Sequence, residues 1–301
     1  MTTTGFPAEA FLLPALGMAV GPFPQRGFLS AWWDAFGQDN DLLVMSDDNA
    51  TLPLMRSGTA IQFVGDADLT DYHSPLGSDL TGLVSELFVR AGPGAVFDLD
   101  SLPAEAANPL AAAIGDAGFE VKVTEHATAM VLRLPPTFDG YQQLVGKKER
   151  HELRRKRRRY EQQVGPVIHS THTGTGFGFD EFVRLHRAAG GEKGTFMTGD
   201  RRTFFAQLAR QPGWRVDLLE HDGRATACLF GWTDQQDYYL YNSSYDPDLH
   251  PASPGQVLLS TMIEAGIAAG WGRFDFLKGD ESYKSRLGAE PRRLYRVEAS
   301  C

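Results

Sequence analysis

The sequence predicts a mixed α/β protein built from two lobes, on three observations. Short apolar runs with a strand-like rhythm alternate with longer segments of helical periodicity. Pro135-Pro136 closes the apolar run 127–134 near the middle of the chain, and prolines end strands because they offer no backbone donor. A faint internal repeat links the halves. Ser74-Pro75-x-Gly77, a helical segment and Phe97-Asp98-Leu99 parallel Ser253-Pro254-Gly255, a helical segment and Phe274-Asp275-Phe276. Ala117-Gly118-Phe119 roughly parallels Leu287-Gly288-Ala289. The expected division is residues 1–134 and residues 135–301.

The first lobe opens with an irregular stretch, residues 1–25, rich in Pro, Gly and Thr. Residues 26–37 read as an amphipathic helix with Phe28, Trp32 and Phe36 on one face. Runs 42–45, 51–55 and 60–64, broken by Asp-Asp-Asn and Ser-Gly, form an antiparallel meander. Helix 80–89, strand 95–99, helix 108–117 and strand 127–134 complete the lobe. In the second lobe, residues 141–163 form an arginine-rich helix. A strand 166–171 precedes the glycine-rich turn 173–178, which lacks the Lys-Ser/Thr of a phosphate loop. Asp180 and Asp200 are expected to cap helices. Strands 214–220 and 225–232 flank His221-Asp222-Gly223, a hairpin signal. Strand 238–242, a helix from Pro254 to Gly270, strand 274–276 and strand 294–297 end the chain.

Composition bounds the function. With 42% hydrophobic and 22% charged residues over 301 positions, the chain belongs with folded water-soluble proteins. No apolar run is long enough to span a bilayer. Residues 11–20 are apolar, but no Lys or Arg precedes them and Pro14 interrupts them, so they do not read as a leader. The net charge of −9 argues against general nucleic-acid binding. Cys228 and Cys301 make no disulfide framework, and the eight histidines lack ligand spacing. The expectation is a cytoplasmic protein with no metal and no tightly bound cofactor.

Residues 238–289 hold the strongest local signals. An aromatic strand leads through a loop to Ser253-Pro254-Gly255-Gln256, a helix start with an N-cap, a proline at the first position and a capping box. Strand, glycine and helix N-terminus together can receive a phosphate; a plain helix start is the competing reading. Residues 147–163, KKERHELRRKRRRYEQQ, read as a solvated basic face, a nucleic-acid contact or an anion-binding helix. Lys278-Gly279-Asp280-Glu281-Ser282-Tyr283-Lys284 leaves the carboxyl end of a buried strand, where α/β proteins place sites. An exposed charged loop is the alternative there.

The same stretch resembles the carboxy-terminal half of the Fem-type and BioF-associated branch of the GNAT N-acyltransferases. The resemblance rests on YNSSYDP, the SPG helix start, FDFLKGDE, YKSRLGA and the arginine-rich helix. It implies two GNAT-like lobes in tandem, the first on the acceptor side and the second holding the donor. It implies transfer of an acyl group from acyl-CoA, a co-substrate, to a small-molecule or peptide amine, in a bacterial-type enzyme. His250, Ser253 and Gly255 match the family's Q/R-x-x-G-x-G/A pyrophosphate loop, and two of the three depart from it. With Gln256 and Arg154, Arg155 and Arg158 they are the expected donor site. Asp280 or Glu281 would accept the amine proton, Tyr283 would protonate the leaving thiolate, and Lys278 or Lys284 would stabilise negative charge. Tyr283 stands five residues before Gly288, where the family has four. Asp71, Tyr72 and His73, with Tyr241 and Asn242, are the expected acceptor contacts, against a plain turn at 71–73. Two rivals stand beside this reading. One is a Fem-like aminoacyl transferase of cell-wall synthesis, whose basic helix meets tRNA; the other is an inactive GNAT module that only binds a ligand.

Overall fold

The computed structural model describes residues 5–300, the side chains of residues 192 and 193 aside; Cys301 lies outside them. The chain forms two compact units, one of residues 1–129 and 292–301, the other of residues 130–291. The last strand therefore belongs with the amino-terminal unit, which the sequence division at 134/135 does not anticipate. Two strands, β6 (Val121–Arg133) and β12 (Glu290–Ser300), cross the division.

The first unit begins with α1 (Arg26–Phe36), whose Phe28, Leu29 and Trp32 are buried as the periodicity requires. The meander follows as β1 (Asp41–Ser46), β2 (Ala50–Ser57) and β3 (Ala60–Phe63), antiparallel throughout. A two-residue strand, β4 (Leu76–Gly77), pairs with β2. Helix α2 (Thr81–Ala91) carries the chain to β5 (Val96–Pro103), which pairs parallel with β3. Helix α3 spans Ala104–Asp116, beginning earlier than expected and containing Pro109. Strand β12 pairs antiparallel with β5. The core lies between this sheet and α2 and α3, with Leu54, Phe97 and Val297 meeting Val84, Leu87 and Leu110.

The second unit starts with a correction. The expected helix 141–163 is two helices, α4 (Phe138–Leu144) and α5 (Lys147–Gln163). Val145 takes an extended conformation between them and buries its side chain, and Arg150 Nη1 reaches its carbonyl at 2.8 Å. Burial of Val145 thus outweighs helical continuity, and an arginine satisfies the freed acceptor. Leu153 and Tyr160 carry α5 onto the core.

Strand β7 (Ile168–His172) is followed by α6 (Phe177–Ala188), α7 (Gly191–Phe196) and α8 (Gly199–Ala209). Asp180 and Asp200 sit in first turns rather than at caps. At α8 the cap is Thr198, whose Oγ1 accepts from Arg201 N at 3.2 Å; the acids still favour the positive helix ends. Strands β8 (Trp214–His221), β9 (Arg224–Thr233) and β10 (Asp237–Tyr245) form an antiparallel run with β7. The β8–β9 turn has Asp222 and Gly223 both at positive φ, the type I′ form that matches strand twist. Helix α9 (Pro254–Ala269) ends at Gly270, with φ +80°. It leads to β11 (Arg273–Lys278), parallel to β10, and to the short α10 (Ser282–Arg286). Each unit thus contains a strand, a helix and a parallel strand in succession, which is the arrangement the faint repeat marks.

A buried charge network ties β7, β8 and β10 together. Asp217 is fully buried. Its carboxylate accepts from Arg215 Nε at 2.9 Å, Thr171 Oγ1 at 2.7 Å and Tyr238 Oη at 3.1 Å, with His169 Nε2 also at 3.1 Å. Burial alone would raise this carboxyl, but the hydrogen bonds of His169, Arg215 and Thr171 and the Arg215 charge hold it below its ordinary value. The folded value lies under the unfolded one, so the stability it contributes is complete above the ordinary carboxylate range. It is lost as the pH falls from that range down through the lower folded value. Asp217→Ala leaves Arg215 without its main partner and is expected to cost roughly 3–5 kcal/mol, read as a lower urea midpoint at neutral pH. The deficit should shrink in acid; an unchanged midpoint would remove the network from the supports of the fold.

Candidate active site

Pairing between β10 and β11 lasts three residues, from Asp237↔Arg273 to Tyr239↔Asp275. Strand β10 continues to Tyr245 and β11 to Lys278 without pairing further. The divergence coincides with a register shift of β10 against β9 between Leu240 and Asn242, and a bulge of this kind re-aims a strand. A cavity of about 400 Å³ opens beside the unpaired end of β10. Ser243, Ser244 and Tyr245 line it from β10, with Cys228 and Leu229 of β9 beneath. The start of α9 closes one side and Glu281 and Tyr283 another.

Helix α9 starts differently from the sequence expectation. Ser253 is at its N-cap in the left-handed region, φ +56°, and its side chain makes no capping bond. The capping box is absent, because the Gln256 side chain turns away and accepts from Lys156 Nζ at 3.2 Å. The Ser253 carbonyl takes the N–H groups of Gln256 and Val257, both at 3.1 Å. Pro254 has no N–H, and no described hydrogen bond uses that of Gly255. A Cβ on Gly255 would stand 3.3 Å from the Tyr245 ring, so any side chain here would press on a ring that lines the cavity. Tyr245 Oη and His250 Nδ1 are 3.0 Å apart at the rim.

The basic helix reaches this site with other residues than those expected. Lys156 meets Gln256, and Arg159 Nη1 donates to the Pro251 carbonyl at 3.1 Å. Arg154 donates to Gln142 at 3.0 Å, Arg155 pairs with Glu152, and Arg158 lies in a separate groove with His151. Helical geometry could have sorted them. Lys156 falls three residues after Leu153 and four before Tyr160, on the face that α5 turns to the core.

The loop after β11 divides likewise. Lys284 is 3% exposed. Its ammonium donates to the carbonyls of Lys278 at 2.8 Å and Gly279 at 3.0 Å and pairs with Glu281 Oε2 at 2.9 Å. Lys284 is therefore a tie that shapes the loop, and it is not available to an oxyanion. Lys278 contributes a carbonyl to that tie, and Asp280 is exposed outside the cavity lining. Glu281 and Tyr283 remain in it. Burial would push Glu281 up, but the hydrogen bond and charge of Lys284, with its own backbone N–H, hold it below the ordinary value. Burial, then the Glu281 charge, push the Tyr283 hydroxyl up to about 12, so it carries its proton at neutral pH.

The expected acceptor contacts are not gathered here. The Tyr241 ring packs against Phe205 and Trp214, at 5.5 and 5.4 Å. Asn242 Oδ1 is 2.7 Å from His186 Nε2 and accepts from Ser243 N. Both are spent inside the second unit because the bulge turns them from the cavity. Tyr72 is fully buried in the first unit, beneath the Arg292 guanidinium at 5.1 Å. His73 is buried beside it, and Asp71 is half-buried. The sequence reading missed Ser243, Tyr245 and Lys156. The two β10 residues could have been found by continuing the strand past Asn242.

A sheet that splays after a bulge, with a helix N-terminus at the opening, defines the class. Residues 147–285 match the family model of the acetyltransferase (GNAT) domain, and that segment of the chain carries a GNAT domain. Solved structures extend the likeness to both units. A conserved protein of unknown function from Bacteroides thetaiotaomicron has a TM-score of 0.66 at 13% identity, over 97% of this chain and 95% of that one. L-PGS from Bacillus licheniformis gives 0.61 at 16% identity, over 93% of each chain. FemX gives 0.61 at 10% identity, over 95% of this chain and 93% of that one. At these identities the likeness is one of fold. The search of curated proteins found no match. Among the described residues no helix is long and apolar enough to cross a membrane, and no cluster of His, Cys, Asp and Glu is placed to hold a metal.

Lys284→Met strips its carbonyl acceptors of their buried donor and is expected to cost roughly 2–4 kcal/mol by urea unfolding. Asp280→Asn, at an exposed position, should stay within about 0.5 kcal/mol. Equal midpoints for the two variants would contradict the structural role of Lys284.

Proposed function

We propose that this protein is an N-acyltransferase that moves an acyl group from acyl-CoA, or a related thioester, to a primary amine. The observation that carries the reading is the cavity where β10 and β11 part, with the unengaged Gly255 N–H at its edge. Donor phosphates sit at the α9 N-terminus, where the helix end, Gly255 and the nearby Lys156 favour negative charge. The amide-bearing arm of the donor lies along the unpaired edge of β10, which has backbone donors and acceptors to offer.

The amine nitrogen then attacks the thioester carbonyl. A C–N bond forms, the carbonyl becomes an oxyanion, and its collapse breaks the C–S bond. Glu281, held ionised beside Lys284, takes the proton of the incoming ammonium directly or through water. Tyr283 gives its proton to the departing thiolate and is restored by the second proton that the nitrogen sheds as the amide forms. Both are groups of the kind that contribute general acid–base catalysis.

One observation favours a second donor. His151, Arg154, Arg157 and Arg158, with Glu161 paired to Arg157, line a shallow groove on α5 away from the cavity, a net basic surface suited to a phosphate backbone. With that surface the donor is an aminoacyl-tRNA.

The test is thiol release from a panel of acyl-CoA donors with primary amines, run beside aminoacyl-tRNA deacylation. Thiol release dependent on amine is expected. Gly255→Asp should raise KM for the donor about tenfold or more, because a carboxylate opposes phosphate there. Glu281→Gln and Tyr283→Phe should each lower kcat/KM by about a hundredfold or more with little change in melting temperature. Consumption of aminoacyl-tRNA without thiol release selects the second donor, and binding without turnover of either identifies a ligand-binding module.

A further inference from the structure

The first unit holds a cavity of its own, of about 500 Å³, within the range of small-molecule sites. Its walls are aromatic and acidic. Trp32, Phe36 and Phe63 line it, as do Asp66, Asp98 and Asp100. Arg296 is shared between two of these acids: Nε is 3.0 Å from Asp98 Oδ1, and a terminal nitrogen is 3.6 Å from Asp100 Oδ2. Asp98 and Asp100 thus share one guanidinium, with His126 Nε2 3.4 Å from Asp100 Oδ2, while Asp66 accepts from Trp32 Nε1 at 2.8 Å; the lining holds three acids to one arginine, beside aromatic faces that attract cations.

A second, independent feature is His73, which also lines the cavity. It is 6% exposed and stacks on Phe63 with ring centroids 5.1 Å apart. Its Nδ1 lies 3.0 Å from the Asp100 carbonyl oxygen and 3.1 Å from its carboxylate. Both partners are acceptors, so Nδ1 holds a proton, and in that tautomer Nε2 is a lone-pair acceptor. Nε2 is buried and has no hydrogen-bond partner, a state that costs free energy until a donor arrives. It faces Gly65, where a Cβ would stand 2.9 Å away. The bare glycine leaves a narrow space there, bounded by Thr70 Oγ1 on its other side, at the lining of the same cavity.

We propose that this cavity binds a small organic cation bearing N–H donors, an alkylammonium or guanidinium compound. One N–H reaches His73 Nε2 along the Gly65 side, the charge lies against Asp98 and Asp100, and the carbon chain lies on Trp32 and Phe63. The aromatic walls, which a bare metal ion would not use, suit an organic cation. The site is independent of the donor used by the second unit, since it is read as binding by first-unit residues.

The experiment is isothermal titration of the full chain with cadaverine and with agmatine, beside 1-pentanol and glutarate as neutral and anionic controls. Saturable binding of a cation and none of the controls is expected, and the tighter cation distinguishes ammonium from guanidinium recognition. Asp98→Asn should weaken that binding about tenfold or more by removing a charge-assisted contact. His73→Gln is a second variant that acts through the other contact. The proposal is overturned if neither cation binds saturably to the folded protein. It is equally overturned if a control binds as well as the cations, or if neither substitution changes the affinity.

Discussion

The candidate site exists because two parallel strands stop pairing early. Backbone N–H and C=O groups inside a protein cost free energy when they have no partner, so sheets normally pair along their length. Here β10 and β11 pair from Asp237↔Arg273 to Tyr239↔Asp275 and then separate. The register shift at Leu240/Asn242 turns β10 away. The groups left over have to meet water or a ligand, and the fold places a helix start, two serines and a tyrosine around them. Hydrogen-bonding capacity is thus left unspent along this edge of β10.

The loop opposite that edge is held by a buried lysine. Three carbonyls within 3.5 Å and the Glu281 carboxylate surround the Lys284 ammonium. Directed contacts of this kind keep Glu281 and Tyr283 in the lining and offset the cost of burying a charge. Lysine is suited to the place because its compact ammonium has three donors that can point to three carbonyls. A structural residue and two candidate chemical ones therefore sit within four positions of each other, and only burial and partners tell them apart.

The two units share a local plan and differ in what surrounds it. In the first, α2 connects β3 to a parallel β5; in the second, α9 connects β10 to a parallel β11. The second unit's plan opens onto serines, a helix N-terminus and a tyrosine. The first unit has an acidic, aromatic cavity around a buried histidine. The same backbone arrangement supports different side-chain chemistry, because a fold places sites without dictating what fills them.

Much of the architecture was legible along the chain. The amphipathic period of α1, the Asp222-Gly223 turn, the Pro254 start and Gly270 end of α9 and the alternation of helices and strands are local properties. They follow from backbone freedom and from which face must be buried, so sequence alone determines them. Tertiary structure decided what local rules could not reach. Whether the basic segment is one helix or two depended on where Val145 could be buried. Which cations of α5 face α9 depended on packing of Leu153 and Tyr160. Lys284 read as an exposed charge until the carbonyls of β11 closed around it. Ser253 and Gln256 spell a capping box, yet Ser253 is left-handed and Gln256 is bound to Lys156, one hundred residues earlier. A side chain's role is set by the partner that reaches it first, and long-range partners exist only after the chain has folded.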